Sequence, residues 1–281
     1  MKILILGNNG MLGADLQVVF RDYEVYGWDK EDIDIVDENQ VLEKIPQLKP
    51  NIIVNAAAYN AVDAAEENKE IAYDVNGYAV GYLAKISRKN NITLVHYSTN
   101  YVFDGKNKEG YVEDADPNPQ SVYAESKSLG ERLLKENTNQ YYLIRTARIF
   151  GTPAKSDTAK KSFVSVMLEL ASTQKEIRVV HEEYSNATYS KHLAQRTREI
   201  LEWKKPTGTY HVTNKGACTW YEFAKKIFEI KDISVKVTPV SQKEFPRPAA
   251  RPSHSVLINT KLPSLKKWED ALKEYLLSKE K

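Results

Sequence analysis

The 281 residues contain 42% hydrophobic and 28% charged side chains, a balance typical of soluble globular proteins and unlike that of disordered chains. Forty Lys and Arg residues against 38 Asp and Glu residues leave a net charge of +2, which argues against a nucleic-acid-binding protein. No apolar run approaches the ~20 residues of a membrane span. Cys218 is the only cysteine, so no disulfide forms within this sequence. We expect a cytoplasmic protein that binds neither nucleic acid nor membrane and acts on small molecules.

Short apolar runs alternate with helical patterns through the first half of the sequence. Strands are predicted at residues 2–6, 24–28, 51–55, 92–98 and 141–145, and helices at residues 71–88 and 121–136, with a short amphipathic stretch ending at 17–20. This alternation predicts right-handed crossover connections and a parallel sheet.

The pattern is less regular after Gly151. Helices are predicted at residues 162–171, 191–203, 220–230 and 268–277, strands at 177–180 and 209–212, and a loop at the Pro-rich residues 245–252. The helix at 191–203 resembles the crossovers of the first half. We therefore predict a sheet domain of residues 1–151 that includes a helix at about 189–203. A smaller, interleaved lobe is predicted at about 152–188 and 204–281.

Three glycines follow the first predicted strand, in the run Gly7-Asn8-Asn9-Gly10-Met11-Leu12-Gly13. Glycine permits a tight turn and lets the amide groups of a helix N-terminus approach a pyrophosphate. The spacing is G-x-x-G-x-x-G rather than the commoner G-x-G-x-x-G, and a simple turn would also explain it. Asp29 follows the second strand and lies 22 residues after Gly7, close to the ~20 residues expected for a carboxylate that binds the adenosine ribose. The combination predicts a dinucleotide site.

The sequence leaves the identity of the dinucleotide open. The Asp29 carboxylate disfavours a 2′-phosphate and so favours NADH, whereas Lys30 beside it softens that preference. Asp34 and Ile35 could hold an adenine between a carboxylate and an apolar surface. A solvated aspartate in an acidic loop explains the same two residues.

A tyrosine and a lysine stand four residues apart, at Tyr123 and Lys127. A ketone reduced by a dihydronicotinamide needs a proton donor, and a tyrosine can serve when a nearby ammonium lowers its pKa from about 10. Three other Y-x-x-x-K pairs occur, but only this pair falls between the fourth and fifth strands, beside the carboxyl edge where ligands bind. Ser98 and Thr99 end the fourth strand at that edge and offer hydroxyl groups. A surface helix with a solvated Tyr and Lys is the alternative.

As a set, these motifs resemble the extended short-chain dehydrogenase/reductases, and within them the dTDP-4-dehydrorhamnose reductases, along nearly the whole chain. The resemblance rests on the glycine loop and on the runs Asn55-Ala-Ala-Ala-Tyr59, Ala61-Val-Asp63, Ser98-Thr-Asn-Tyr-Val-Phe-Asp-Gly105, Tyr123-Ala-Glu-Ser-Lys127, Gly130-Glu131, Arg251-Pro252, Ser255-Val-Leu257 and Trp268-Glu-Asp-Ala-Leu272. It implies an α/β fold, a Rossmann-type doubly wound parallel sheet with a smaller interleaved C-terminal substrate-binding lobe.

The resemblance also implies an activity. This is the NADPH- or NADH-dependent reduction of the 4-keto group of a nucleotide-linked 6-deoxysugar, with dTDP-4-dehydrorhamnose converted to dTDP-L-rhamnose for cell-surface polysaccharide. A monomer or a homodimer is expected.

The resemblance assigns roles to individual residues. The cofactor contacts it implies are Gly7, Gly10, Met11, Leu12 and Gly13 for the pyrophosphate, Asp29, Asp34 and Ile35 for the adenosine, and Ala57, Ala58, Tyr59 and Tyr97 for the middle of the molecule. Lys127 would hold the nicotinamide ribose and lower the pKa of Tyr123, the proton donor, while Thr99 would orient the keto oxygen. Arg251 is expected to pair with the substrate diphosphate, although a surface arginine in a Pro-rich loop is an alternative.

The departures from the family pattern fall on the substrate side. Asn100 replaces the usual Asp after the catalytic Thr, Arg148 replaces a Trp that contacts the sugar, and residues 182–188 lose most of a D-Q-x-G-x-P-T motif. Asp15 stands near the position of a glutamate that binds an interface magnesium in some members, and no metal requirement is expected here.

Two other functions stay open. Epimerases and 4,6-dehydratases are related, but the dehydratases carry Thr-Asp-Glu where this sequence has Thr99-Asn100-Tyr101, which lacks both acids. A non-catalytic regulatory subunit, like the beta subunit of methionine adenosyltransferase, resembles the same family. The intact set of Thr99, Tyr123 and Lys127 favours catalysis.

Overall fold

The computed structural model describes residues 1–153 and 161–278. The strands in these residues are β1 (Lys2–Leu6), β2 (Glu24–Trp28), β3 (Ile52–Asn55), β4 (Thr93–Thr99), β5 (Tyr141–Thr146), β6 (Ile149–Phe150), β7 (Glu176–Val180), β8 (Thr188–Tyr189), β9 (Gly208–His211) and β10 (Lys236–Val240). The α-helices are α1 (Met11–Val19), α2 (Glu38–Leu48), α3 (Lys69–Tyr73), α4 (Ala79–Lys89), α5 (Val122–Asn137), α6 (Phe163–Thr173), α7 (Ser190–Glu202), α8 (Trp220–Ile230) and α9 (Trp268–Ser278). No helix in these two ranges has both the length and the apolar character that a membrane span requires.

The central sheet has six parallel strands in the order β2-β1-β3-β4-β5-β9. From β1 the chain moves outward to β2 and then returns past β1 to β3. The connections that leave the carboxyl ends of β1 and β3 therefore diverge and open a crevice, which is where ligands bind in such sheets. Both the glycine loop and the Ala-rich loop after β3 begin at this crevice.

Apolar side chains alternate along the strands and fill a layer on each face of the sheet. On one face Ile3, Ile5 and Val54 pack against Leu16 of α1 and Leu193 of α7. The other face carries a second apolar cluster, which includes Leu4, Leu6, Ile53, Val41 of α2 and Leu83 of α4. Strands covered on both faces read as continuous apolar runs, which is why the sequence pattern predicts them well.

A smaller lobe is built around β7, β10 and the helices α6, α8 and α9. Its two small sheets pair β7 with β10 and β6 with β8, both in parallel. Its core is rich in aromatic side chains, among them Phe150, Phe223, Trp268 and Tyr275. Stacked and tilted ring contacts at 5.5–5.8 Å join Phe150 to its aromatic neighbours.

The predicted parallel sheet agrees with the structure, and several details differ. Helix α2 and strands β6, β8 and β10 are absent from the prediction, and the helix expected at 71–88 is α3 and α4 joined by a π-helical turn at Asp74–Tyr78. The lobe boundary predicted at residue 204 assigns β9 to the smaller lobe. Strand β9 instead pairs with β5 in the main sheet, because it completes the crossover that runs through α7.

Candidate active site

The glycine loop is packed too tightly for side chains at two of its positions. Gly7 has φ +76°, and a Cβ there would lie 2.7 Å from the backbone nitrogen of Ala57. A Cβ on Gly13 would lie 2.2 Å from the carbonyl oxygen of Gly7. Helix α1 begins at Met11 with no side-chain cap and no acidic residue in its first turn. Its first amide groups are therefore available to an anion, as a pyrophosphate site requires.

The carboxylates predicted to bind the adenosine lie just beyond β2. Asp29 accepts a hydrogen bond from the Asn9 amide at 2.7 Å, so its side chain is fixed against the glycine loop. Burial raises the pKa of Asp29 above its ordinary value. Asp34 accepts a hydrogen bond from the Val36 amide at 3.2 Å, and Ile35 beside it is buried. The structure thus brings these residues to the same edge as the glycine loop, and their contacts with a cofactor stay predictions.

The loop after β3 is held by Asn76, which is not among the site residues predicted from the sequence. The Asn76 side chain accepts from the Tyr59 amide at 2.9 Å and donates to the Tyr59 carbonyl at 3.0 Å and to Ser126 Oγ at 3.1 Å. The loop with Ala57, Ala58 and Tyr59 is thereby tied to α5. Asn76 lies in the π-helical turn, a distortion that often accompanies functional sites, but the sequence carries no clear signal for it.

Tyr123 and Lys127 lie on the buried face of α5, which Ser121 caps through the Ala124 amide. Tyr123 lies near enough to Thr99, at the end of β4, for the Thr99 hydroxyl to affect its pKa, whereas the buried Ser98 hydroxyl has no hydrogen-bond partner among the described residues. Lys127 donates to the carbonyl oxygen of Tyr97 at 2.7 Å. The structure therefore assembles the predicted set of Thr99, Tyr123 and Lys127 beside the crevice.

The pKa of Tyr123 differs from the sequence-based expectation. Burial raises it to about 12, and the neighbouring Thr99 hydroxyl has the largest opposing effect. Burial also lowers the pKa of the Lys127 ammonium to about 8, against the opposing charge of Glu131. The expected lowering of the Tyr123 pKa by Lys127 is therefore not found, because desolvation outweighs the opposing effects of Thr99 and Arg251.

The Tyr97 side chain lies on the face of the sheet that packs against α7, whereas Lys127 lies on the other face. Its hydroxyl is hydrogen bonded to Thr197 of α7 at 2.7 Å, and the side chain is buried. The part of Tyr97 next to the Tyr–Lys pair is therefore its carbonyl group. A contact between Tyr97 and a cofactor stays a prediction.

Asn100 is the centre of a buried network that joins Thr99 to the smaller lobe. Its Oδ1 accepts from Thr99 Oγ1 at 3.3 Å. Its Nδ2 donates to Ser185 Oγ at 2.9 Å, to Ser255 Oγ at 2.6 Å and to the Ser255 carbonyl at 3.2 Å. Because a carbonyl only accepts hydrogen bonds, an amide suits this position better than a carboxylate.

Arg148 is held rigidly by the smaller lobe. Its guanidinium donates to the carbonyl groups of Cys218 and Glu183, each at 2.7 Å, and lies 4.0 Å above the ring of Trp220. The Glu183 carboxylate in turn accepts from Trp220 Nε1 at 3.0 Å and pairs with Arg247. Trp220 therefore supports Arg148. Arg247 is a further cation in the Pro-rich loop, and it is not among the site residues predicted from the sequence.

Arg251 lies near Tyr123 rather than on the surface. Its side chain is 7% exposed, pairs with Asp63 at 2.8 Å, and donates to the Ala249 carbonyl at 2.9 Å. The guanidinium also lies 5.8 Å from the ring of Tyr101, which meets the Tyr123 ring edge-on at 6.2 Å. The charges of Arg251, Arg148, Arg247 and Glu183 all act on the pKa of Tyr101, whereas Arg251 is the one of these that also acts on Tyr123.

Among the described residues, no group of three or more His, Cys, Asp or Glu side chains is arranged to hold a metal ion. Asp15, near the position where some family members bind magnesium, accepts a hydrogen bond from Ser190 of α7. Burial raises its pKa above the ordinary value for aspartate.

The switch-point crevice, the glycine loop and the Tyr–Lys pair on the helix after β4 define a Rossmann-type protein of the extended short-chain dehydrogenase/reductase class. Residues 1–280 match the model of the RmlD substrate binding domain family, and the chain belongs to that family. The predicted fold class and family are both confirmed.

Relatives of this chain align with it over nearly its whole length. The spore coat polysaccharide biosynthesis protein SpsK of Bacillus subtilis (strain 168) is 36% identical, with 98% of this chain and 96% of that protein covered. The dTDP-4-dehydrorhamnose reductase of Aggregatibacter actinomycetemcomitans is 34% identical, with 97% of each chain covered. The crystal structure of dTDP-4-dehydrorhamnose reductase from Bacillus anthracis in complex with NADP superposes with a TM-score of 0.93, at 35% identity and 99% coverage of both chains.

Proposed function

We propose that this protein reduces the 4-keto group of a dTDP-linked 6-deoxysugar with NADPH or NADH, converting dTDP-4-dehydrorhamnose to dTDP-L-rhamnose. The observation that carries the proposal is the joint placement of Thr99, Tyr123 and Lys127 beside a glycine loop at the switch point of the sheet. Relatives named for this reaction, and one of them solved with NADP, support it.

The residues at the crevice fit a dinucleotide. The glycine loop has the close backbone packing and uncapped helix N-terminus that a pyrophosphate needs, and Asp29 stands where a ribose carboxylate is expected. The negative charge of Asp29 repels a 2′-phosphate and so favours NADH. The Bacillus anthracis enzyme was solved with NADP, which supports NADPH as the cofactor. We propose that this protein binds both. When bound, the dihydronicotinamide supplies the hydride.

Tyr123 is proposed to donate the proton to the sugar C4 oxygen. A pKa of about 12 keeps its hydroxyl protonated near neutral pH, which is the form that a proton donor needs. Thr99 is proposed to orient the keto oxygen, because its hydroxyl lies close enough to Tyr123 to affect the pKa of the proposed proton donor. Lys127 is proposed to hold the nicotinamide ribose from its site on the Tyr97 carbonyl.

The diphosphate of the substrate is proposed to bind near Arg251 and Arg247, with Arg148 bordering the sugar. Arg251 lies close enough to Tyr123 to lower its pKa, so one arginine can serve both the anion and the reacting end of the substrate. We propose that the smaller lobe, at about residues 152–188 and 204–281 without β9, binds the sugar-nucleotide substrate. We propose a cytoplasmic monomer or homodimer with no nucleic-acid or membrane partner.

The test measures loss of dihydronicotinamide absorbance with dTDP-4-keto-6-deoxyglucose, with and without the 3,5-epimerase that converts it. Oxidation that requires the epimerase supports a dehydrorhamnose reductase. Oxidation without the epimerase would indicate a reductase of the unepimerised sugar. No oxidation in any combination, with dinucleotide binding still measurable, would contradict the proposal and favour a regulatory subunit.

A further inference from the structure

An ion pair is buried beneath the Tyr–Lys pair. The Arg145 guanidinium, on β5, grips the Glu131 carboxylate of α5 with two hydrogen bonds, Nε to Oε1 at 2.9 Å and Nη2 to Oε2 at 2.7 Å. The side chains are 1% and 2% exposed. Buried pairs of this kind are weak sources of stability, because desolvation offsets most of their attraction, and apolar replacements are often neutral or stabilising. Stability alone therefore does not account for charges at this place.

The pair lies directly below Lys127. Tyr123, Lys127 and Glu131 are spaced four residues apart on α5, so their side chains follow one another along one buried face. The Glu131 carboxylate opposes the effect of burial on Lys127. The Arg145 guanidinium keeps that carboxylate in place, and it is itself held by the Glu113 carbonyl at 3.2 Å and by the ring of Phe103 at 5.0 Å.

Other titratable groups, on α5 and on the strands β4, β5 and β9, lie around Lys127, Glu131 and Arg145. They are His96 on β4, Tyr141 on β5, His211 on β9, and Tyr123 and Lys135 on α5. Burial holds the pKa of His96 well below its ordinary value and that of His211 at about 4, so both imidazoles are neutral at neutral pH. Burial also raises the pKa of Tyr141, whose phenol is neutral there. Lys135, one helical turn beyond Glu131, is exposed to solvent. Glu131 and Arg145 form the buried ion pair next to Lys127, whereas the carboxylate of the buried Glu113 accepts a hydrogen bond from Thr260.

We propose that Glu131, oriented by Arg145, is a positioning residue that keeps Lys127 charged and in place for the nicotinamide ribose. The inference rests on the proposed function, in which Lys127 contacts the cofactor. Glu131 acts only through Lys127 and touches neither substrate nor cofactor. The forked grip of Arg145 prevents the carboxylate from turning toward Lys127, so the lysine remains free to donate to the Tyr97 carbonyl and to a ribose.

The experiment measures dinucleotide affinity against pH by fluorescence titration with NADPH, which requires no sugar substrate. The double variant Glu131→Gln/Arg145→Met removes both buried charges and leaves neither one unpaired. Arg132→Met/Glu136→Gln removes an exposed ion pair from the same helix and is the matched control. Arg145→Lys keeps a cation but loosens the grip on Glu131, which leaves the carboxylate freer to pair with Lys127.

We expect the alkaline midpoint of NADPH binding to move down in Glu131→Gln/Arg145→Met, because the nearer of the two removed charges is the carboxylate that opposes the effect of burial on Lys127. The control should keep the wild-type midpoint, and Arg145→Lys should move it upward. An unchanged midpoint in a folded double variant would overturn the inference. If the double variant does not fold, an unchanged or lowered midpoint in Arg145→Lys would overturn it. Wild-type protein that binds no dinucleotide would contradict both this inference and the proposed function, whereas failed sugar reduction with intact binding would contradict the proposed function alone.

Discussion

Lys127 should destabilise the folded protein at neutral pH, and Lys127→Met should reveal by how much. Burial lowers the pKa of this ammonium from 10.5 to about 8. Below pH 8 the folded state carries a buried charge that the unfolded state keeps in water. Between pH 8 and 10.5 the folded state has released that proton while the unfolded state still holds it, so stability rises with pH. A shift of this size corresponds to about 3 kcal/mol of unfolding free energy.

Urea unfolding of both proteins from pH 7 to pH 10.5 measures the effect. The variant also loses the hydrogen bond to the Tyr97 carbonyl, and any difference in that bond between the ammonium and the neutral amine is already part of the folded-state pKa of Lys127. Wild type should therefore gain about 3 kcal/mol relative to Lys127→Met across the range. Lys85→Met, at an exposed position on α4, should show no such gain. A difference between wild type and Lys127→Met that does not change with pH would refute the reasoning.

Three further predictions concern the crevice and the catalytic site. Tyr123→Phe should lower kcat by about 10²- to 10⁴-fold with little change in cofactor affinity, and full activity in steady-state assays would remove Tyr123 as the proton donor. Asn100→Asp places a carboxylate oxygen against the Ser255 carbonyl and should shift the acidic limb of the rate–pH profile; an unmoved profile would show that the amide is not needed. Gly13→Ala should abolish measurable NADPH binding, because its Cβ would lie 2.2 Å from the Gly7 carbonyl oxygen, and wild-type affinity in a titration would contradict this packing.

The parts of the fold that follow local rules are predictable from the sequence. Strands buried on both faces appear as apolar runs, and the position of Tyr123 and Lys127 between the fourth and fifth strands distinguishes them from the other Y-x-x-x-K pairs. Helix α2 is obscured because Pro46 lies inside it, although Asp37 caps it and Val41 and Ile45 are buried. The two-residue strands β6 and β8 depend on a pairing between distant segments and leave no periodic signal.

The electrostatics of the site could not be predicted from spacing. The pKa of Tyr123 depends on how deeply the fold buries its hydroxyl, and spacing to Lys127 contains no measure of burial. The role of Asn100 depends on Ser185 and Ser255, which are 85 and 155 residues away in the chain. Arg251 reads as a loop residue in the sequence, and only the folded chain places it against Asp63.

The most direct test of the central proposal is the fate of the hydride. The protein is incubated with NADPH carrying deuterium on the transferable C4 position of the nicotinamide, the 3,5-epimerase and dTDP-4-keto-6-deoxyglucose, and the product is examined by NMR. The proposed site predicts deuterium at C4 of the rhamnose ring in wild type and very little labelled product in Tyr123→Phe. A sugar product without deuterium at C4, or equal labelling by the Tyr123→Phe variant, would contradict it.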